Sequence, residues 1–216
     1  MKPRERRKLE RPGEILEAAF EEFAEHGFAA TRLEDVARRA GVTKGTVYFY
    51  FESKERVFEE MIGHFSRQLE SEADEVLAAP ARSQRERLSR FIEFYYRRFA
   101  TDRYGREMLR FMIADGKHFP DLVNRHYSDF VAPAIQRIQE LVQAGVDDGE
   151  FRAAPVAQYA EIVIAPAVLM GLWLLVFAHQ KEIDFEAFAR AHIDLVLNGL
   201  LSGADKAGTP LAAAGG

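Results

Sequence analysis

Cysteine is absent from this chain of 216 residues. Its absence excludes disulfide frameworks, thiolate metal sites and cysteine nucleophiles, and it is typical of proteins in a reducing compartment. An excess of positive charge is also missing, because 29 Lys and Arg residues are outnumbered by 34 Asp and Glu residues, for a net charge of -5. The chain is therefore not expected to coat nucleic acid or membranes indiscriminately, and any basic surface must be local.

The first residues, MKPRERRKLERPGEI, lack the apolar run of a secretion signal. One long uncharged run comes much later, at residues 162–178 (IVIAPAVLMGLWLLVFA). It lies at the lower length limit for a membrane span, and Pro166 and Gly171 interrupt it. Because no Lys/Arg cluster flanks the run, we predict a helix that is buried by its neighbours or by a partner subunit in a cytoplasmic protein. A membrane-spanning helix is the alternative.

Motifs for catalysis and for metal binding are missing as well. The sequence has no HExxH or GxSxG, and GVTKGT (41–46) lacks the spacing of a phosphate-binding loop. The six histidines are scattered without metal-ligand spacing. We therefore expect neither an enzyme nor a bound metal or cofactor, although an enzyme remains the rival class of function.

Helical periodicity runs through almost every segment, and no long stretch alternates with a period of two. With 48% hydrophobic residues the chain can also bury a sizeable core. The pattern predicts an all-α protein of about nine helices. We expect them at 12–25, from 31, from 43, from 53, and at 84–100, 104–114, 120–147, 155–179 and 184–202.

A tight turn between two short helices is indicated near residue 41. The segment LEDVARRA (33–40) ends at Gly41, and Thr43 can cap a further short helix only two residues later. By the same criterion, Thr31 and Ser53 are expected to cap the helix before this turn and the helix after it. Two short helices that cannot lie antiparallel are typical of a helix-turn-helix.

The residues that begin the second short helix suit the edges of base pairs. Lys44 can donate to guanine O6 and N7 or to a phosphate, and Thr46 offers a hydroxyl and a methyl group. Gly45 has no side chain, so its backbone can approach DNA closely. Since a helix-turn-helix inserts the first turn of this helix into the major groove, we predict a DNA-binding protein.

The aromatic side chains that follow divide between DNA and core. Tyr48 and Tyr50 can donate hydroxyl hydrogens to phosphates, Phe49 can touch a thymine methyl group, and Phe51 should return to the core. Lys54, at the start of the next helix, can hold a further phosphate. The alternative is an ordinary helical turn with core aromatics, but it does not account for the polar residues beside them.

The segment FAEHGFAATRLEDVARRAGVTKGTVYFYFESKERVFEEMI resembles the DNA-binding domain of the tetracycline-repressor (TetR) family of bacterial transcriptional regulators. The resemblance covers about residues 12–62, and its most specific parts are DVARRAGV and GTVYFYF followed by Lys54. Arg32 stands where many relatives carry threonine, so an ion pair with phosphate is expected there. The resemblance implies DNA contacts at Thr31, Thr43, Lys44, Gly45, Thr46, Tyr48, Tyr50 and Lys54.

Three parts of the chain are expected to differ in role. Residues 1–62 form the DNA-binding domain, 63–203 a ligand-binding and dimerisation domain, and 204–216 a disordered tail with nothing to bury. Within the first part, residues 1–11 hold six Lys or Arg and two Glu, a basic arm with a net charge of +4. This arm could lie along phosphates or enter the minor groove, or it could only be a solvated terminus.

A homodimer on a palindromic operator of double-stranded DNA is expected, because one helix-turn-helix makes too few contacts for tight specific binding. The apolar run at 162–178 and the amphipathic FEAFARAHIDLVLNGLL at 185–201 suit a four-helix dimer bundle. Alternatively, both segments complete the core of a monomer.

Aromatic and methionine side chains are abundant in the middle of the chain, and such residues also line adaptable apolar pockets. We predict a repressor that a hydrophobic or aromatic small molecule releases from its operator. The alternative is a DNA-binding regulator without an effector, which is constitutive or controlled by a partner protein. The candidate ligand residues are Phe91, Tyr95, Met108, Phe111, Met112, His126, Met170, Trp173 and Phe177.

Overall fold

Helices follow one another with short connections in the computed structural model, which describes residues 3–153 and 158–201. No strand occurs within these ranges, apart from an isolated bridge between Phe151 and Leu201. The all-α prediction is confirmed. The helices are α1 (Pro3–Ala30), α2 (Leu33–Arg39), α3 (Lys44–Tyr50), α4 (Lys54–Ala78), α5 (Gln84–Ala100), α6 (Arg103–Ala114), α7 (Pro120–His126), α8 (Ala132–Asp147), α9 (Glu161–Phe177) and α10 (Phe185–Leu200).

The helix expected at 120–147 consists of three consecutive pieces. A π-helical turn at Tyr127–Val131 joins α7 to α8 without a break. Counted as one helix, this segment brings the total in the described ranges to the nine predicted. The eighth predicted helix, 155–179, is α9, which begins only at Glu161. Its predicted start at 155 and the predicted tail 204–216 lie outside the described residues.

The first helix begins earlier than the sequence predicts. It starts at Pro3 instead of near Pro12, because the Arg, Lys and Glu residues before Pro12 favour helix and the chain continues through the proline. At Gly27, with φ 76° and ψ 166°, the helical path breaks as expected, and one further turn follows. The side chains of the predicted basic arm before Arg11 lie outside the described set.

One compact unit contains the described residues up to Glu70 together with Phe111–His126. Its core is a group of phenylalanine rings in mutual contact. The Phe58 ring lies 5.2 Å from Phe23 and 5.6 Å from Phe111, and Phe20 lies 5.8 Å from Phe111. The end of α6 therefore packs against α1 and α4.

The second unit contains Ser71–Arg110 and the described residues from Tyr127 onward. Helix α5 lies at its centre and packs against α8, α9 and α10. Close approach requires small residues: a Cβ added to Gly171 of α9 would lie 2.9 Å from Leu109 Cδ1 and 3.1 Å from Phe99 Cβ. In the described ranges no helix has the length and apolarity needed to cross a membrane.

We expect a Gly145→Ala substitution to lower the free energy of unfolding by about 2 kcal/mol through overpacking. The added Cβ would overlap the buried Phe151 ring, whose Cγ would be 2.8 Å away, although alanine normally stabilises a helix relative to glycine. Urea denaturation measures the change. Gly199→Ala in α10 is the control, because nothing lies within 4 Å of its added Cβ. Equal stability of the two variants would contradict this packing.

Candidate nucleic-acid interface

Helices α2 and α3 are joined by a turn at Gly41, whose φ of 64° is in the left-handed region. The amide of Val42 donates to the Ala37 carbonyl at 2.9 Å, which closes the turn. Val36 of α2 and Val47 of α3 are both fully buried. The two helices therefore have the arrangement that the sequence predicts, with one apolar face inward and the other side of α3 outward.

The first turn of α3 is held by its N-cap. Thr43 Oγ1 accepts a hydrogen bond from the Thr46 amide at 3.1 Å, and the two threonine hydroxyl oxygens lie 2.9 Å apart. The predicted cap is confirmed. Thr43 and Gly45 are exposed and Thr46 is half-buried, so this turn presents polar groups on a fixed backbone.

The outward side of α3 carries aromatic rings. Phe49 is 72% exposed and Tyr48 is 46% exposed, whereas Tyr50 is half-buried and contacts the Phe49 ring edge-on at 5.0 Å. Phe51 is buried, as predicted. A cluster of exposed aromatic rings on one side of a short helix marks that side as a candidate contact surface for a partner.

Lys44 makes a contact that the sequence does not indicate. Its Nζ donates to Glu34 Oε1 in α2 and lies 5.6 Å from the centre of the Tyr48 ring. The hydrogen bond with Glu34 raises the pKa of the Lys44 ammonium, and the same bond lowers the pKa of the Glu34 carboxyl. Glu34 therefore lies beside the predicted DNA-contacting residues, although it is not one of them.

Thr31 does not cap α2, contrary to the prediction. The residue that caps α2 is Arg32, without a side-chain hydrogen bond, and Arg32 is exposed. Thr31 is buried, and its hydroxyl lies 2.8 Å from the Gly27 carbonyl oxygen and 3.1 Å from that of Glu22. The cap prediction is wrong because the break at Gly27 leaves carbonyl groups that this hydroxyl can reach.

Lys54 connects the start of α4 to the end of α1. Its Nζ donates to the carbonyl oxygens of Phe28 (2.8 Å), Ala29 (3.2 Å) and Thr31 (3.2 Å), and it lies 4.5 Å from the centre of the Phe28 ring. An ammonium group has three donors, and these three bonds use all of them. Lys54 thus holds the segment that leads into α2, and a phosphate contact through it would have to replace one of these bonds.

Helix α2 is also tied to α1 by ion pairs. Arg39 Nε donates to Glu22 at 2.6 Å, and the Arg39 guanidinium donates to Glu25 at 2.6 Å. Glu22 is buried, and these two carboxylates raise the pKa of Arg39. The helix-turn-helix is therefore held on α1 by paired charges in addition to its apolar face.

Two family models match the chain. The model described as bacterial regulatory proteins, tetR family, matches residues 15–61, and the model described as AefR-like transcriptional repressor, C-terminal domain, matches residues 86–198. The second match alone covers more than half of the chain. The protein belongs to the TetR family of bacterial transcriptional regulators. This family comprises regulators and not enzymes, in agreement with the prediction of a non-catalytic protein.

Other TetR-family proteins resemble this one along most of its length. The repressor KstR2 of Rhodococcus jostii is 26% identical over 88% of this chain and 90% of its own length. A regulator from Saccharomonospora viridis, solved with choline, has a TM-score of 0.76 at 20% identity, covering 89% of this chain and 98% of its own. Bacillus subtilis FadR with stearoyl-CoA has a TM-score of 0.62 at 21% identity, covering 86% and 97%. Several curated relatives match over only 22% to 45% of their own length.

The predicted ligand residues of this TetR-family chain fall in both compact units. In the second unit the rings of Phe91 and Tyr95 lie 5.1 Å apart in α5, and those of Trp173 and Phe177 lie 5.0 Å apart in α9. In the same unit Met170 is buried and Met108 is half-buried. In the first unit Phe111 is buried in the phenylalanine core, Met112 is half-buried, and His126 Nδ1 lies 3.3 Å from Ser66 Oγ.

A cleft of about 440 Å³ between α5 and α10 was not expected from the sequence. Its lining includes Tyr96 and Ile193 and the charged residues Glu93, Arg97, Glu186 and Arg190. Burial raises the pKa of Tyr96 to about 12, and its hydroxyl has no hydrogen-bond partner among the described residues. Because the two walls are about ninety residues apart in the chain, no local pattern could have indicated the cleft.

Proposed function

We propose that the protein is a transcriptional repressor that binds double-stranded DNA through α3 and acts in the cytoplasm. The observation that carries the proposal is the outward side of α3, where a capped first turn with Lys44 precedes exposed Tyr48 and Phe49. The buried Val47 on the opposite side keeps this surface outward. The match to a repressor C-terminal domain and the likeness to KstR2 support repression as the outcome.

The individual contacts follow from chemistry and exposure. Thr43, Lys44, Gly45 and Thr46 lie on the first turn and are assigned to base edges in the major groove. Tyr48 and Tyr50 are assigned to phosphates, Phe49 to a thymine methyl group, and exposed Arg32 to a phosphate near the start of α2. Thr31 and Lys54 support this surface through their bonds to main-chain carbonyls.

A homodimer is proposed because α9 and α10 carry apolar side chains that nothing in the described chain covers. Ile162, Leu169 and Val176 recur every seven residues on α9 and are all more than half exposed. Phe188 and Leu195 repeat the same interval on α10, and Leu195 is 72% exposed. Such a stripe suits a four-helix interface about a two-fold axis, which would place two copies of α3 in successive major grooves of a palindrome.

The effector is proposed to be a hydrophobic or aromatic small molecule that binds near α5 and α9. These two helices pack together and both carry aromatic side chains, including Trp173 of α9 and the buried Phe91 of α5. Trp173 Nε1 is buried without a hydrogen-bond partner among the described residues, so a ligand acceptor would satisfy it. The ligand would bind better to a conformation of the dimer in which the distance between the two α3 helices does not match the distance between successive major grooves. Its binding would therefore release the DNA.

Selection of bound fragments from a random DNA pool tests this function. Purified protein should enrich a palindrome whose half-site centres are about 34 to 36 Å apart, and sedimentation should give a dimer. Absence of any preference over bulk genomic DNA would overturn the proposal. A panel of apolar compounds should then include one that raises the melting temperature and releases the selected site. If none does, the effector part of the proposal is wrong and DNA binding stands.

A further inference from the structure

The part of α3 that is proposed to bind DNA carries one charged side chain, Lys44, and this side chain already forms an ion pair within the protein. Between Thr43 and Tyr50 only Lys44 is charged, and its Nζ donates to the Glu34 carboxylate of α2. Both side chains are about half exposed, at 52% and 49%. The pair therefore lies at the surface where α2 and α3 meet, with its ammonium and carboxylate side by side and open to a ligand.

Stability of the fold does not account for this pair. Ion pairs between exposed side chains contribute little to folding, because water screens them and both side chains lose conformational freedom. A carboxylate beside the α3 surface also opposes the approach of phosphates, since like charges repel. A residue that costs affinity for DNA in general can still be useful if it distinguishes one DNA sequence from another.

We propose that Glu34 is a specificity-determining residue, which together with Lys44 recognises one G·C base pair in each half-site. The inference rests on the proposed DNA-binding function and adds to it. In the major groove guanine presents O6 and N7 as acceptors, and its paired cytosine presents an N4 hydrogen beside O6. The Lys44 ammonium would donate to guanine while the Glu34 carboxylate accepts from cytosine. The two side chains can therefore bind both bases while their own ion pair stays intact.

The same geometry disfavours A·T and the reversed G·C pair. An A·T pair in the same orientation presents the adenine N6 donor to the ammonium and the thymine O4 acceptor to the carboxylate. Reversing a G·C pair also brings the cytosine donor to the ammonium and the guanine acceptors to the carboxylate. Each of these two mismatches leaves a donor facing a donor and an acceptor facing an acceptor, which is unfavourable when both groups are desolvated. A T·A pair also presents an acceptor, thymine O4, beside a donor, adenine N6, so it is distinguished from G·C by the thymine methyl group that stands in place of guanine N7.

Weak binding to unrelated DNA is the second consequence. Affinity for arbitrary sequences comes mainly from cations that neutralise phosphates and release counterions. Because Glu34 balances the charge of Lys44, this lysine contributes little to non-specific affinity. A lysine without such a partner would bind phosphates of any sequence. Glu34 thus raises the ratio of operator affinity to affinity for unrelated DNA in two ways. It favours the correct base pair, and it reduces non-specific affinity.

The test compares full-length wild type with Glu34→Gln and Asp35→Asn. Asp35 is the matched control, because it is the next residue of α2 but pairs with Arg38 at 2.8 Å and not with Lys44. Each protein is titrated against the selected palindrome, palindromes with single G·C replacements, and unrelated DNA at several salt concentrations. Lys44→Met is measured in the same way, and melting temperatures verify that all four proteins fold.

Wild type is expected to prefer G·C at one position of each half-site by about fivefold or more. Glu34→Gln should lose most of this preference, bind unrelated DNA more tightly, and steepen the salt dependence of that binding by about one unit of slope. Asp35→Asn should keep the base preference. Lys44→Met should lose the preference at the same position as Glu34→Gln.

The outcomes separate this inference from the function on which it rests. If wild type selects a palindrome but Glu34→Gln keeps every base preference, or alters a different position from Lys44→Met, the inference is overturned and the DNA-binding function stands. If wild type selects no sequence, the proposed function itself fails. An unfolded Glu34→Gln protein would also overturn the inference, since it would show that the pair serves the fold.

Discussion

A Leu195→Arg variant is expected to sediment as a monomer and to bind the selected palindrome at least about 100-fold more weakly than wild type. Leu195 is 72% exposed on α10, seven residues after Phe188 on the proposed interface. In a two-fold dimer the new guanidinium would be buried near its own symmetry copy without a counter-charge. A monomer can bind only one half-site. Binding of the second half-site by the same dimer raises affinity by about 100-fold or more, and the variant loses this gain. Analytical ultracentrifugation and fluorescence anisotropy measure the two effects.

Ile113→Arg provides a control for the Leu195 prediction. Ile113 in α6 is another aliphatic side chain with 66% exposure, and it lies outside the proposed interface. The control protein should remain dimeric and should bind DNA as wild type does. A Leu195→Arg protein that is still dimeric would contradict the assignment of α10 to the interface, and a monomeric wild type would contradict the dimer altogether.

A Lys54→Met variant is expected to lose about 3 kcal/mol of unfolding free energy, because three main-chain carbonyls, two in the last turn of α1 and one just after it, lose their donor. The α2–α3 segment would then be held less firmly, and operator affinity should fall about tenfold. The dependence of that affinity on salt should stay the same, since the ammonium already binds protein carbonyls and not phosphate. Urea denaturation and salt titrations of DNA binding measure these quantities.

Lys44→Met is the matched control for Lys54→Met, since it removes the same charge ten residues earlier. Lys44 pairs only with exposed groups, so its loss should leave the unfolding free energy almost unchanged while it alters base preference. The opposite pattern for Lys54→Met, an unchanged melting temperature and a salt slope reduced by about one, would show that Lys54 contacts a phosphate as the sequence suggests.

Local patterns were sufficient to predict most of the helices. Apolar residues spaced three or four apart mark a buried face, and Thr43, Ser53 and Gly41 mark helix ends through bonds and dihedral angles confined to a few residues. The helix boundaries that differ have local causes too: strong helix formers before Pro12 extend α1, and a π-helical turn lies inside the segment 120–147.

Periodicity, capping and one contiguous motif were enough to predict the all-α class, the helix-turn-helix and the family. The use of individual side chains could not be predicted in this way, because it depends on contacts between helices. Lys44 meets Glu34 ten residues away, Lys54 meets carbonyls 23 to 26 residues away, and the Thr31 hydroxyl meets the Glu22 carbonyl nine residues away. Such pairings depend on how α1, α2 and α4 pack together, and residue spacing within one helix carries no information about that packing.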